Sequence, residues 1–114
     1  HPQNIAVVQT RAAALGIEVE VADVRKVDWS TNQYIGALCQ YPSTRGQLND
    51  WSSVIADAHK HSTMMVAATD LLASVLATPA GELGFDIAVG TSQRFGVPMG
   101  FGGPHAGFLA TTEA

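Results

Sequence analysis

Polar side chains that could do chemistry follow two predicted strands at the point where each strand ends. Asp70 closes the apolar run Met64–Thr69, and the group Thr91-Ser92-Gln93-Arg94 follows the run DIAVG. In a parallel sheet, ligands bind outside the carboxyl ends of the strands. If these two strands are neighbours, Asp70 and Gln93 therefore face one crevice. Asp70 could equally be the cap of a short helix that begins at Leu71, and the local sequence leaves both roles open.

A glycine-rich stretch from Asp86 to Gly107 begins with the second of these strands. It contains six of the eleven glycines and two of the five prolines, together with Arg94, Phe95, Phe101 and His105. This density of glycine and proline does not suit the interior of a helix or strand. A flexible linker would be polar and would lack the aromatic side chains. The composition predicts an ordered loop over a site or a packed subunit contact, and His105 could serve a ligand, a partner or the loop itself.

Several common catalytic and binding motifs do not match. Gly100-x-Gly102 lacks the third glycine of a dinucleotide-binding turn, and the sequence has no Gly-Lys-Ser/Thr phosphate loop. It also has no G-x-S-x-G or H-E-x-x-H motif. His59 and His61 are two residues apart at a predicted helix end, without a locally paired carboxylate or cysteine, so we expect no metal site there.

Composition narrows the class of protein. The 114 residues are enough for one domain or part of a larger one, and 46% of them are hydrophobic, which excludes a disordered, charge-rich segment. The charged fraction of 14% is low, which suggests either a piece of a longer chain or a chain covered by a partner. The net charge of −4, with scattered basic residues, argues against nucleic-acid binding. A single cysteine, Cys39, fits a buried packing role in a reducing compartment. No apolar run approaches the roughly 20 residues that span a bilayer.

Hydrophobic periodicity predicts alternating helices and strands. The predicted elements, in chain order, are a helix capped by Asn4 and ended by Gly16, a strand over Ile17–Val21, a loop over Asp23–Asn32, a strand over Tyr34–Tyr41 that is apolar on both faces, a helix capped by Asn49 or Asp50 and ended by His59-Lys60-His61, a strand over Met64–Thr69, a short helical segment over Leu71–Leu76, a strand over Ile87–Val89 and an antiparallel or edge strand over Phe108–Thr111. This order is typical of an α/β three-layer arrangement with a mostly parallel sheet.

Four segments of the chain resemble one known family. The stretch QRFGVPMGFGGPHAG, Gln93 to Gly107, closely resembles the signature of the glycine-cleavage P-protein family of pyridoxal-phosphate glycine decarboxylases. The opening HPQNIAVVQTRAAALGIEV, the segment QYPSTRGQLNDW and the segment VAATDLLA are similar to the same family in the same order. The resemblance covers essentially the whole chain.

The resemblance implies a fold-type-I pyridoxal-phosphate enzyme made of two related halves, fused or split into subunits. Residues 1–114 would form a single, incomplete part of the large domain of the N-terminal half. In that fold, an Asp at a strand end pairs with the pyridine nitrogen of the cofactor, and a Lys after a later strand forms the Schiff base. Asp70 lies at a place equivalent to the first, but Gln93 stands where the lysine is expected, and an amide is not nucleophilic.

The resemblance therefore implies a non-catalytic half, with pyridoxal 5'-phosphate bound by the other half and Asp70 as a vestigial position or a cap. We expect no catalytic residue in this chain, and a pocket wall or subunit contact made by Arg94, Phe95, Phe101, Gly102, Gly103 and His105. The parent enzyme would release CO2 from glycine and pass the aminomethyl group to the lipoyl carrier (H) protein. Its compartment would be the bacterial cytoplasm or the mitochondrial matrix. The alternative is a purely structural or interaction half-domain without activity or cofactor, and the failed motifs disfavour a nucleotide-binding domain.

Overall fold

The computed structural model describes residues 1–31 and 33–112, and these form a mixed α/β structure around one sheet. The helices and strands are α1 (Pro2–Ala13), β1 (Gly36–Tyr41), α2 (Ser52–Lys60), β2 (Met64–Thr69), β3 (Ile87–Thr91) and β4 (Gly107–Thr111), with short 3-10 helices at Val24–Lys26, Leu71–Val75 and Gln93–Phe95. The strands lie in the order β1-β2-β3-β4. The first three are parallel and β4 runs antiparallel to β3, which confirms the predicted mostly parallel sheet.

One face of the sheet forms the core with α2. Alternate residues of β1 and β2 point to this face, because successive side chains of a strand alternate between the two sides. Cys39, Met65 and Ala67 are each at most 3% exposed, and they cluster with Ile55 and Ala58 of α2. Trp51, just before α2, packs edge-on against the buried ring of Phe85, with 6.4 Å between ring centroids. The core is completed by Trp29, Tyr41 and Ala80.

The opposite face of the sheet is thinly covered. The register brings Leu38, Val66 and Ile87 into one row, and Leu38 is 41% exposed. Asn4 of α1 donates a hydrogen bond to the side chain of Gln40, 2.8 Å away, which places α1 on this side. The arrangement is therefore α2, sheet and α1 in three layers. The prediction that β1 is buried on both faces is correct for the α2 face only.

A proline begins α1 and a glycine ends it. Gly16 adopts φ +69°, and the N–H of Ile17 reaches back to the carbonyl of Ala12 at 3.0 Å, as expected of a Schellman ending. The predicted stop at Gly16 is confirmed. The predicted cap at Asn4 is wrong, because Pro2, which has no N–H to satisfy, already begins the helix, and Asn4 lies inside it.

The predicted cap of α2 at Asn49 or Asp50 is wrong, because the helix is capped by Trp51, which makes no side-chain cap hydrogen bond. The Asp50 carboxylate accepts a hydrogen bond from the N–H of Ser52 at 2.9 Å. His59 and Lys60 lie in the last turn, where positive charge is favoured by the helix dipole. Among the described residues, no helix is long and apolar enough to cross a membrane.

The predicted strand over Ile17–Val21 is wrong. These residues form no regular element, and Ile17 and Val21 are 42% and 55% exposed. An alternating sequence supplies side chains for a strand but not a neighbouring strand to pair with. In the predicted loop that follows, Trp29 is buried and packs edge-on against Tyr34, whereas Asn32 lies outside the described residues.

Candidate functional site

The carboxyl ends of three parallel strands meet at one edge of the sheet. β2 and β3 are neighbours, which is the condition under which we expect Asp70 and Gln93 to face one crevice, and the two residues lie at the same edge of the sheet. The turn after Tyr41 lies beside them, since Tyr41 is in register with Thr69. The Thr44 hydroxyl at the end of this turn lies 3.0 Å from the His1 ring. This edge, with its three following segments, is the candidate site.

Asp70 uses both carboxylate oxygens within the chain. Oδ1 accepts a hydrogen bond from the N–H of Leu72 at 3.1 Å and so caps the 3-10 helix Leu71–Val75. Oδ2 lies 3.1 Å from Nη1 of Arg94, which joins the segment after β2 to the segment after β3. The Asp70 side chain is 26% exposed and that of Arg94 is 63% exposed. Of the two roles that the sequence left open, the structure shows the cap.

Gln93 closes the turn that follows β3. Its side-chain N–H donates to the carbonyl of Val97 at 3.0 Å, and its backbone N–H donates to the Thr91 hydroxyl at 3.2 Å. Gly96 ends the short helix Gln93–Phe95 in the left-handed region, at φ +103°. The side-chain oxygen of Gln93 is buried and has no hydrogen-bond partner among the described residues. The amide therefore holds the loop, with one acceptor left over.

The residues at this edge do not fit a covalently held pyridoxal phosphate. Such binding needs a lysine amine at this edge, and the two lysines of the chain lie elsewhere. Lys60 is the last residue of α2, which runs back from the carboxyl edge to the start of β2. It therefore lies at the opposite edge of the sheet, where its amine pairs with Asp57 at 3.1 Å. Lys26 lies in the short 3-10 helix that precedes β1.

The glycine-rich loop leaves this edge as a hairpin. The N–H of Ser92 donates to the carbonyl of Ala106 at 2.8 Å, which ties the two ends of the loop together. At the far end, the N–H of Gly103 donates to the carbonyl of Gly100 at 3.0 Å. The two residues between them, Phe101 and Gly102, have φ of +53° and +92°. Positive φ at both central positions is typical of a type I′ turn, so Phe101 lies at the tip.

The structure divides the predicted contact residues into two groups. Arg94 lies at the base of the loop, fixed by Asp70. The others follow along the loop, where Gly103 is half-buried and the rest are exposed: Phe95, Phe101, Gly102, Gly103 and His105. Sequence reasoning missed the Arg94–Asp70 ion pair, although the two residues follow neighbouring strands and carry opposite charges.

A second polar cluster lies at the opposite edge of the sheet. Oδ2 of Asp86 accepts a hydrogen bond from the N–H of Met65 at 2.7 Å and lies 2.9 Å from Nε2 of His59. Partial burial on its own raises the pKa of Asp86, but the hydrogen bonds from Met65 and His59 outweigh it and leave the pKa below the ordinary 3.8. Among the described residues, no group of three His, Cys, Asp or Glu side chains could hold a metal ion. The cluster ties α2 and β2 to β3.

Cys39 is a packing residue. It is 3% exposed in the core, and burial raises the pKa of its thiol to about 11. The thiolate is the reactive form of cysteine, so this side chain is inert in the folded chain.

The fold and the polar segments at the carboxyl edge of the sheet together define a class of protein. A mostly parallel α/β sheet whose polar segments gather at the carboxyl edge is typical of ligand-binding α/β domains. A crystal structure of glycine decarboxylase (P-protein) of the glycine cleavage system, in inhibitor-bound form, superposes with a TM-score of 0.82 and 35% sequence identity. The match covers 97% of this chain and 26% of that one. The chain has the α/β fold of that fold-type-I enzyme.

The family follows from the sequence comparisons. The profile of the glycine cleavage system P-protein family matches residues 1–114, and the chain belongs to this family. It is 54% identical over its full length to glycine dehydrogenase (decarboxylating) of Vibrio cholerae. It is 50% identical over 113 residues to mitochondrial glycine dehydrogenase (decarboxylating) of the plant Flaveria trinervia. The chain spans 12% and 11% of the lengths of these curated relatives.

Proposed function

We propose that residues 1–114 are an incomplete part of the large domain in the N-terminal, non-catalytic half of a pyridoxal-phosphate glycine decarboxylase. The names of the relatives support the activity of the whole enzyme. The geometry at the carboxyl edge supports the non-catalytic role of this part. In the proposed enzyme, the other half holds the cofactor and its lysine.

The observation that carries the proposal is the state of Gln93. Its amide donates to Val97 and closes the turn after β3, so the position serves the loop rather than a cofactor. Asp70 is likewise engaged, by the N–H of Leu72 and by Arg94. Both positions that a cofactor would use are bound to the chain's own groups.

The whole enzyme, on this proposal, releases CO2 from glycine and passes the aminomethyl group to the lipoyl carrier (H) protein. Pyridoxal phosphate, when bound by the other half, supplies the electron sink for loss of CO2. The partners of this chain are then the catalytic half or subunit, the H protein and glycine. The compartment is the bacterial cytoplasm or the mitochondrial matrix.

One exposed surface supports a contact with the rest of the enzyme. The sheet face opposite α2 leaves apolar side chains in solvent, with Met64 47% exposed and Leu109 69% exposed. Sheets with parallel strands are normally covered on both faces. We infer that this face borders the other half.

The test is to locate the cofactor lysine in the full-length enzyme. Borohydride reduction followed by peptide mapping is expected to place the reduced adduct on a lysine outside residues 1–114. Lys26→Arg and Lys60→Arg variants of the full-length enzyme should keep the cofactor absorbance band. A reduced adduct on Lys26 or Lys60 would refute the non-catalytic role.

A further inference from the structure

The tip of the glycine-rich loop carries a large apolar side chain in an unusual backbone conformation. Phe101 has φ +53°, a region that bulky residues rarely adopt because Cβ crowds the following carbonyl. Asn and Gly are the residues preferred at this position of a type I′ turn. The Phe101 side chain is fully exposed in the chain by itself. A residue that is both strained and exposed is commonly retained for function.

Three bonds within the chain hold the base of the loop. Ser92 is bonded to Ala106 at 2.8 Å, Gln93 to Val97 at 3.0 Å, and Arg94 to Asp70 at 3.1 Å. These bonds fix the direction in which the loop projects from the carboxyl edge. A preorganised loop loses little conformational entropy when its tip binds, which favours a docking role.

The loop carries three large apolar side chains that are exposed, one at its base and two at or near its tip. Phe101 is fully exposed, Met99 is 82% exposed and Phe95 is 56% exposed. An aromatic side chain buries about 150–250 Å² when it is covered, so Phe101 alone offers a sizeable apolar contact. Aromatic residues are also the commonest hot spots of interfaces.

We propose that Phe101 is the anchor of this loop and inserts into an apolar recess in the remaining part of the same P-protein. This rests on the proposed function, and it names the residue by which this part docks. The chain spans 12% of the length of the Vibrio cholerae relative, so most of such an enzyme lies outside residues 1–114 and is available as the occupant. The recess is expected to be lined by aliphatic or aromatic side chains, because the tip offers a phenyl ring and a thioether. Gly102 and Gly103 carry no side chain that would prevent close approach.

The first test locates the recess. Full-length P-protein carrying p-benzoyl-phenylalanine at position 101 is irradiated, and the cross-linked peptides are mapped. The expected partner peptide lies in the same enzyme but outside residues 1–114. A cross-link only to residues 1–114, of the same or a second copy, overturns the proposal, and so does the absence of any cross-link.

The second test separates the ring from the turn. Phe101→Asn keeps the turn, because Asn-Gly is the strongest type I′ pair, but removes the ring. Phe101→Tyr is the matched control that keeps an aromatic ring. Cleavage of the native full-length enzyme by chymotrypsin after Phe95 is expected to become at least about 10-fold faster in Phe101→Asn, the change expected when an interface hot spot is lost. In Phe101→Tyr the rate should rise less than in Phe101→Asn, because the ring is kept and only its added hydroxyl has to be accommodated.

If the ring of Phe101 is free in solvent, Phe101→Asn instead improves the turn and leaves cleavage equal or slower, which overturns the proposal. The lysine mapping described above is independent of both tests. A catalytic lysine outside residues 1–114 together with a free Phe101 would retain the proposed function and remove the docking role alone.

Discussion

Gly90 offers the sharpest test of how closely the strands at the candidate site approach each other. A Cβ added there would lie 2.2 Å from the backbone oxygen of Thr69 and 2.8 Å from the ring of Phe108. The first distance is about 1.3 Å shorter than the roughly 3.5 Å at which nonbonded atoms make favourable contact. Because Thr69 contributes a backbone atom of β2, no side-chain rotation can relieve it. Gly90→Ala must therefore shift β2 and β3 apart.

Inserting a methyl group into a well-packed interior typically costs about 1–3 kcal/mol, and occasionally more. With one backbone and one ring contact to displace, we expect Gly90→Ala to reach about 3 kcal/mol. The shift would fall beside Thr69, one residue before Asp70, and so would disturb the Arg94 ion pair. The assay is thermal and urea unfolding of the full-length enzyme, since that is the protein in which the open sheet face can be covered.

Gly107→Ala is the matched control, because Gly107 lies on the neighbouring strand β4 and an added Cβ would meet only the oxygen of Gly90, at an ordinary 3.7 Å. Its cost should stay within about 0.5 kcal/mol, as for other unobstructed sites. Adding Phe108→Leu to Gly90→Ala should recover only part of the loss, since the contact with Thr69 remains. Equal melting temperatures for Gly90→Ala and Gly107→Ala would refute the close approach of the strands.

Three further predictions concern single side chains. The pKa of Asp86 is lowered in the fold, so its ionised form contributes stability above the unfolded pKa, near 3.8, and this contribution is lost as the pH falls through the lower folded pKa. The urea midpoints of the full-length enzyme and of its Asp86→Asn variant should therefore differ at pH 7 and converge as the pH falls below about 4. A difference that stays constant with pH would contradict the assignment. Cys39, with a pKa of about 11, should react with iodoacetamide at pH 8 only after unfolding, and rapid labelling of the native enzyme would show that it is not a packing residue. Arg94→Ala should change the free energy of unfolding by less than about 1 kcal/mol, because the Arg94 side of its ion pair with Asp70 is 63% exposed. It should nevertheless impair assembly of the two halves or glycine decarboxylation. Normal sedimentation and turnover would argue against a contact role.

Local signals predicted the elements whose partners lie close in sequence. The bounds of β2, Met64–Thr69, are those of the apolar run before Asp70. The helix after Asp50 and the stop at Gly16 follow from residues that satisfy or release backbone groups nearby. These features depend on chemistry within a few residues, which a single sequence displays.

Features that depend on distant partners were less accessible. The alternating run Ile17–Val21 is not a strand, because in the described chain no strand lies beside it to accept its hydrogen bonds. The ion pair between Asp70 and Arg94 required knowing that β2 and β3 are adjacent. The left-handed conformation of Phe101 has no signal in its residue type, since aromatic residues disfavour it.

A strand end that holds a ligand and one that holds a loop need the same kinds of groups, namely acceptors and donors that project past the last hydrogen bond of the sheet. In this chain Asp70 and Gln93 supply such groups, but they bond Leu72, Arg94 and Val97 of the same polypeptide. The amide at position 93 is not a nucleophile, and its N–H donates to the carbonyl of Val97 and so closes the turn at the base of the loop. In the proposed enzyme, we therefore expect one side chain both to exclude a cofactor linkage at this edge and to hold the base of the projecting loop.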